Sequence, residues 1–188
     1  SYPAYLKIAE GCDHRCAFCI IPKLRGRYRS RTMESLLAEA KALADAGVKE
    51  LIVIAQDITR YGLDLEEKAT LAQLLKELCR LDFHWIRLHY LYPEAVTDEL
   101  IQVIASEPKI LHYLDIPIQH CNDNILKAMR RRNTKAEIRA LFAKLRAAMP
   151  DVVIRTSLIC GLPGEGEEEF EELCAFLREE KIQRAGVF

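Results

Sequence analysis

The chain has 188 residues, half of them hydrophobic, with 27 Lys plus Arg against 28 Asp plus Glu for a formal net charge of −1. That is enough apolar material for a single core without a staple, and the balanced charge supplies no global field of the kind that gathers nucleic acid. No apolar run approaches the roughly 20 residues that cross a bilayer, so a membrane is not among the expected partners. Tyr5 to Ala9 reads as a first strand, followed by a cysteine-bearing loop. Met33, Leu36, Leu37, Ala40, Leu43 and Ala44 recur at helical spacing, with Thr32 as N-cap and Gly47 as stop. Glu50 to Ala55 is the second strand, and a long polar loop leads to Thr70, which forms a capping box with Gln73 ahead of the stripe Leu71, Leu74, Leu75, Leu78 and Cys79. His84 to Leu91 is the third strand, and Thr97 caps a helix running through Ser106. Tyr113 to Ile118 is the fourth strand. A helix carrying Ile125, Leu126 and Met129 follows, then one opened by the box Thr134 to Glu137. Val152 to Cys160 is the fifth strand, its helix starts within the acidic run Glu165 to Glu169, and Gln183 to Phe188 begins a sixth.

This βα rhythm predicts an α/β fold with a parallel sheet. Arg87 and His89 alternate along the third strand, Asp115 and Gln119 along the fourth, and Arg155 and Ser157 along the fifth. Strands covered by helices on both faces would be apolar throughout, whereas residues two apart share one face. A fully packed core would leave buried arginines unpaired at a cost of several kcal/mol each. A partial (β/α) TIM-like barrel of about six parallel strands with outer helices is therefore expected, its polar face lining a cleft. The opening at Ser1-Tyr2-Pro3 and the strand-like end at Gly186-Val187-Phe188 suggest one domain, residues 1–188, cut from something longer.

The chemistry concentrates in Cys12, Cys16 and Cys19, a C-x-x-x-C-x-x-C triplet. Iron–sulfur clusters are normally held by four cysteines, and three leave one iron open. A structural zinc site wants four closed ligands and would need His14 or a distant residue. Disulfides fit poorly, since Cys79, Cys121, Cys160 and Cys174 are scattered and no secretory signal precedes them; a reducing cytoplasm is the expected compartment. Functional residues of such barrels cluster where strands end. The triplet follows strand one, Gln56-Asp57 strand two, Gln119-His120-Cys121 strand four, and Cys160-Gly161-Leu162-Pro163-Gly164 strand five, so these loops share one mouth. Gly161 and Gly164 allow close backbone approach to a ligand there.

The triplet, with an aromatic residue at Phe18 just before its third cysteine, resembles the signature of the radical S-adenosylmethionine (SAM) enzymes. The resemblance implies a [4Fe-4S] cluster on Cys12, Cys16 and Cys19, its open iron chelated by the amino and carboxylate groups of SAM. Reductive cleavage of SAM would then yield a 5'-deoxyadenosyl radical that takes hydrogen from a substrate. It implies Phe18 and the Gly161 to Pro163 segment beside adenine, and Gln56 and Asp57 near the amino group of the methionine moiety; loop capping is the competing role for that pair. Gln119 joins them at the mouth as a cofactor-binding candidate. Arg155 pairs either with the methionine carboxylate or with Asp115. No side chain is required as the hydrogen abstractor.

The stretches Tyr5 to Cys12, Ile20-Ile21-Pro22 with Arg25-Gly26 and Arg29-Ser30-Arg31, and Arg155 to Ile159 with Gly161 to Glu165 look like the central domain of the methylthiotransferases. Ala55 to Asp64 and Ile116 to His120 resemble most the RimO branch, which modifies an aspartate of small-subunit ribosomal protein twelve, rather than the MiaB branch, which modifies a prenylated adenosine of tRNA. Family members carry an N-terminal domain with a second [4Fe-4S] cluster and a C-terminal TRAM domain, both absent from these residues, and draw electrons from a reductant such as flavodoxin or ferredoxin. Cys121 and Cys160 depart from the family pattern and read as inert thiols or, less simply, as ligands of a second cluster. The basic stretches Lys23, Arg25, Arg27, Arg29, Arg31 and Lys127, Arg130, Arg131, Arg132, Lys135 are either RNA-facing or solvated and paired. A non-catalytic cluster-bearing or RNA-binding module is the reading from another class.

Overall fold

A computed structural model describes residues 3–188; Ser1 and Tyr2 lie outside the described residues. In chain order come β1 (Ala4–Lys7), β2 (Ala9–Glu10), α1 (Ile21–Arg25), β3 (Arg29–Ser30), α2 (Met33–Asp45), β4 (Glu50–Ile54) and α3 (Leu71–Cys79). They are followed by β5 (Trp85–Leu88), α4 (Asp98–Ser106), β6 (Ile110–Asp115), α5 (Asp123–Ala128), α6 (Lys135–Ala148), β7 (Val153–Leu158), α7 (Glu167–Glu179) and β8 (Arg184–Val187). Six strands form one parallel sheet in the order β1-β4-β5-β6-β7-β8, and β2 pairs antiparallel with β3 in a small separate ribbon. Sequential order with helical crossovers is the simplest parallel topology. Among the described residues β1 and β8 have no further strand beside them, so the barrel is partial, as expected. No helix among the described residues is long and apolar enough to cross a membrane.

The caps expected from the sequence form. Thr32 Oγ1 accepts from the Ser35 N–H at 3.3 Å, and Thr97 Oγ1 from the Leu100 N–H at 3.1 Å. Thr70 and Gln73 bond reciprocally at 3.2 and 2.9 Å, as do Thr134 and Glu137 at 3.3 and 2.7 Å. Such caps are worth about 1 kcal/mol each. Strand boundaries differ in places. The fourth strand runs from Ile110 rather than Tyr113 and ends at Asp115, because Pro117 has no N–H to offer a ladder. Gln119, expected on that strand, lies beyond it with φ 71° in the left-handed region. The acidic helix starts at Glu167, within the expected run, after Gly166, whose N–H donates to Glu169 Oε2 at 2.8 Å.

The two faces of the sheet differ as the alternation predicts. Leu6, Leu51, Val53, Ile86, Leu88, Leu114, Ile154 and Leu158 face the helices and are buried. They meet Leu36 and Ala40 of α2, Leu74, Leu75 and Leu78 of α3, and Ile138, Phe142 and Leu145 of α6. The opposite face carries Glu50, Arg87, Asp115, Arg155 and Ser157. Its charges pair across strands: Arg87 Nε lies 2.6 Å from Glu50 Oε1, and Arg155 Nη1 lies 2.6 Å from Asp115 Oδ1. Of the two partners open to Arg155, the protein supplies Asp115.

Gly11 joins the end of β2 to the cysteine loop at φ +84°, and a Cβ there would stand 2.2 Å from the Arg27 carbonyl oxygen. The left-handed backbone alone costs a side-chain-bearing residue about 1–3 kcal/mol, and the clash is with backbone rather than a yielding side chain. Gly11→Ala is expected to lower the thermal midpoint measurably, while Gly47→Ala, where a Cβ meets nothing within 4 Å, costs only the backbone conformation. Equal losses at the two positions would show that the Arg27 contact does not constrain the loop.

Candidate active site

The C-terminal ends of the strands surround a cavity of about 510 Å³. Cys12, Cys16 and Cys19 all line it, together with Phe18, Gln56 and Gln119 of the sequence-derived candidates. Asp57, Arg155, Gly161 and Pro163 are not among its lining residues. The cavity also takes His14, Tyr92, Arg131 and Ser157, which the sequence did not single out as site residues. Of these, Ser157 shares a strand face with Arg155 and was within reach of the alternation argument. Tyr92 lies in an irregular stretch, and Arg131 was hidden among basic neighbours.

The cysteine loop is tied down at several points. Cys12 N–H donates to Gly26 O at 3.1 Å, Cys19 N–H to Cys16 O at 3.0 Å, and Ala17 N–H to Met129 O at 2.9 Å. Asp13 Oδ1 accepts from the Tyr28 N–H at 3.2 Å. Asp57 explains its position outside the cavity. Its carboxylate, 1% exposed, lies 2.8 Å from His14 Nε2 through one oxygen, and the other accepts from the Thr59 N–H at 2.9 Å and from the Thr59 hydroxyl. Tyr28 Oη donates to the Asp57 carbonyl at 2.8 Å. Asp57 thus caps a short turn, Ile58–Arg60, and braces the loop through His14. Capping, the competing role for this pair, describes Asp57. Gln56 divides its amide: Nε2 donates to Glu10 Oε1 at 3.2 Å, and Oε1 is buried without a partner.

His14 continues the bracing inward. Its ring stacks on Tyr92 with centroids 3.8 Å apart and planes 7° apart, and the Arg131 guanidinium lies 4.0 Å from the same Tyr92 centroid. Two planar groups at such distances occupy opposite faces of one ring. Burial pushes the Cys12 thiol up; the His14 backbone N–H opposes this, and the negative charges of Asp57, Cys16 and Cys19 add to it. Among the described residues no three His, Cys, Asp or Glu side chains gather closely enough to hold a single metal ion.

The other departures resolve into structure. Cys121 is fully buried, burial pushes its thiol up to about 12, and it does not line the cavity. Burial likewise raises Cys160. The basic stretches are paired in part: Arg25 with Glu10 at 4.0 Å, Arg27 with Asp13 at 3.7 Å, Arg31 with Glu39 at 2.6 Å, and Lys135 with Glu172 of the acidic helix at 3.0 Å.

The comparisons agree with this architecture. The radical SAM superfamily profile matches residues 6–177, and the chain belongs to that superfamily. Over its whole length the chain is 56% identical to the ribosomal protein uS12 methylthiotransferase RimO of Citrifermentans bemidjiense, and over 98% of it 55% identical to that of Alkaliphilus oremlandii, covering 42% of each. The chain therefore spans about two fifths of the length of these curated relatives. Its fold matches the radical SAM methyltransferase TsrM of Kitasatospora setae with a TM-score of 0.79 at 18% identity, over 98% of this chain and 35% of that one. It also matches coproporphyrinogen III oxidase HemN of Escherichia coli, with a TM-score of 0.66 at 19% identity, over 98% and 43%.

Beneath the cavity, Asp115 holds a carboxylate with no solvent exposure. Burial pushes its pKa up, but hydrogen bonds from His89 and Arg155, the Arg155 charge and the Tyr90 N–H outweigh burial and hold it below the usual carboxylate range. A folded value below the unfolded value of about 3.9 means stability that is present at neutral pH and lost as pH falls through the folded value. Asp115→Asn is expected to cost about 1–3 kcal/mol at pH 7, measured by urea unfolding, with the gap to wild type narrowing below about pH 4. A gap that holds constant with pH would contradict the ionised pairing.

Proposed function

We propose that this chain is the radical-generating core of a methylthiotransferase that acts on an aspartate of ribosomal protein uS12. In this reading Cys12, Cys16 and Cys19 hold a [4Fe-4S] cluster with one open iron, and SAM binds beside it. The observation that carries the proposal is the convergence of three thiols on one cavity at the C-terminal mouth of a partial barrel, beside Phe18, Gln56 and Gln119. The residues fit such a group. Thiolates are the soft donors that iron–sulfur clusters use, the cavity is within the usual range for a small-molecule site, and the buried Gln56 Oε1 lacks a donor that an amino group would supply.

A bound cluster and SAM would supply the chemistry, one-electron reductive cleavage of SAM to a radical able to take a hydrogen from the substrate carbon. The protein's part is binding, orientation and exclusion of competing reactions. Gln56 Oε1 would accept from the amino group of the methionine moiety while Glu10 holds the Gln56 amide nitrogen. Phe18 and Ile159 offer apolar surface to the nucleoside, and Gln119 and Ser157 offer polar groups. Arg155 stays on Asp115. Burial raises the Cys12 thiol, with the negative charges of Asp57, Cys16 and Cys19 adding to it, and cationic iron would offset both.

Support for uS12 as substrate comes from the relatives at 55–56% identity, whose names specify it. Because the chain spans 42% of them, the reading assigns sulfur delivery and a second [4Fe-4S] cluster to an N-terminal domain beyond these residues, and substrate engagement to a TRAM domain. A flavodoxin or ferredoxin is the reductant, and a reducing cytoplasm the compartment. Anaerobic reconstitution of the 188-residue chain is expected to give about four irons per chain, falling sharply in Cys16→Ala. The reduced chain is expected to convert SAM to 5'-deoxyadenosine without methylthiolating uS12. One tightly bound zinc and no iron would overturn the cluster, and methylthio product from this chain alone would overturn the division of labour.

A further inference from the structure

Arg131 lies in the link between α5 and α6, flanked by Arg130 and Arg132, yet it is 8% exposed where a solvated basic run would leave it free. Arg130 turns the chain at φ 58°, and Arg131 N–H closes the turn on Leu126 O at 2.8 Å. The guanidinium is then held from two sides: Nη2 donates to the Pro117 carbonyl at 2.6 Å, and Cζ rests over the Tyr92 ring at 4.0 Å. Its other terminal nitrogen, Nη1, points at Cys16 Sγ from 3.9 Å. Among the described residues no carboxylate pairs with it. Burying a guanidinium without a counter-charge costs several kcal/mol, and the anionic partner within reach is the Cys16 sulfur once ionised.

Resting on the cluster assignment above, we propose that Arg131 is a positioning residue that donates to the Cys16 sulfur and raises the cluster's reduction potential. Reduction places one more electron on the cluster, supplied by the low-potential one-electron donor and accompanied by no bond breaking at Arg131. A fixed cation and an N–H aimed at a ligand sulfur stabilise the reduced form more than the oxidised one. Tyr92 is the platform: cation–π contact holds the guanidinium plane, and His14 on the opposite face holds the ring, itself fixed by Asp57. Tyr92 Oη, 4.0 Å from Cys16 Sγ, approaches the same sulfur.

The test is the midpoint potential of the full-length protein, followed by electron paramagnetic resonance in a redox titration. The signal read is the one that changes when SAM is added, which singles out the cluster with the open iron. Arg131→Gln is expected to shift the potential to more negative values with iron content preserved, and Arg131→Lys, which keeps the charge but loses the planar fork, to shift it less. If the Gln variant does not fold, Tyr92→Leu, which removes the platform and leaves Arg131 in the chain, is expected to shift it in the same direction. Unmoved potentials in the folded variants, even with lowered melting temperatures, would reduce Arg131 to a strut for Pro117 and overturn the proposal. A wild-type protein that takes up no iron on the triplet would overturn the cluster assignment, and this proposal with it.

Discussion

The buried carboxylate of Asp115 is the interaction on which the mouth depends. It takes the Arg155 guanidinium at 2.6 Å from the next strand and the Tyr90 N–H at 3.2 Å from the loop after β5. Tyr90 is forced to φ 63° there, and Leu91 N–H bonds the Asp115 carbonyl at 2.9 Å. These contacts set where the chain goes next, which is Tyr92. From Tyr92 the path continues by stacking to His14 and Arg131, and by His14 to Asp57. A pair on the open face of the sheet is therefore linked to the loop that carries Cys12, Cys16 and Cys19.

The parallel register makes this possible. Asp115 and Arg155 are partners in the β6–β7 ladder, so their side chains leave the same face. The helices cover the other face with aliphatic residues, and strand ends converge on one edge. An open face and a shared edge together produce a cleft whose floor is polar and whose rim is made of loops. The same division separates stability from chemistry: Leu6, Leu51, Ile86 and Ile154 on the helix side are wholly buried, while the cavity is built mostly from residues that follow strand ends.

Much of this was legible from the chain itself. The strand count, the helix caps at Thr32, Thr70, Thr97 and Thr134, and the polar face were readable because periodicity and capping are local signals. Cys12, Cys16, Cys19, Phe18, Gln56 and Gln119 were readable because a motif or a strand end marks them. Asp57 was placed in the right loop, but its side chain turns inward to His14 and Thr59, which only three-dimensional packing decides. Gly161 and Pro163 sit on the expected strand-to-helix turn without lining the cavity. The helix Ile21–Arg25 and the ribbon of Ala9–Glu10 with Arg29–Ser30 were too short for a periodic signal. Arg131 was the least legible, since in sequence it is one arginine among three and only the Arg130 turn carries it inward.

The central claim is that the triplet leaves one iron open to SAM inside this cavity. Its most direct test is the hyperfine coupling between the reduced cluster and SAM carrying nitrogen-15 in its amino group. The account predicts a resolved coupling of directly bonded nitrogen, lost on Cys16→Ala together with the cluster signal. A fully reduced cluster on Cys12, Cys16 and Cys19 that binds SAM with no such coupling would contradict it.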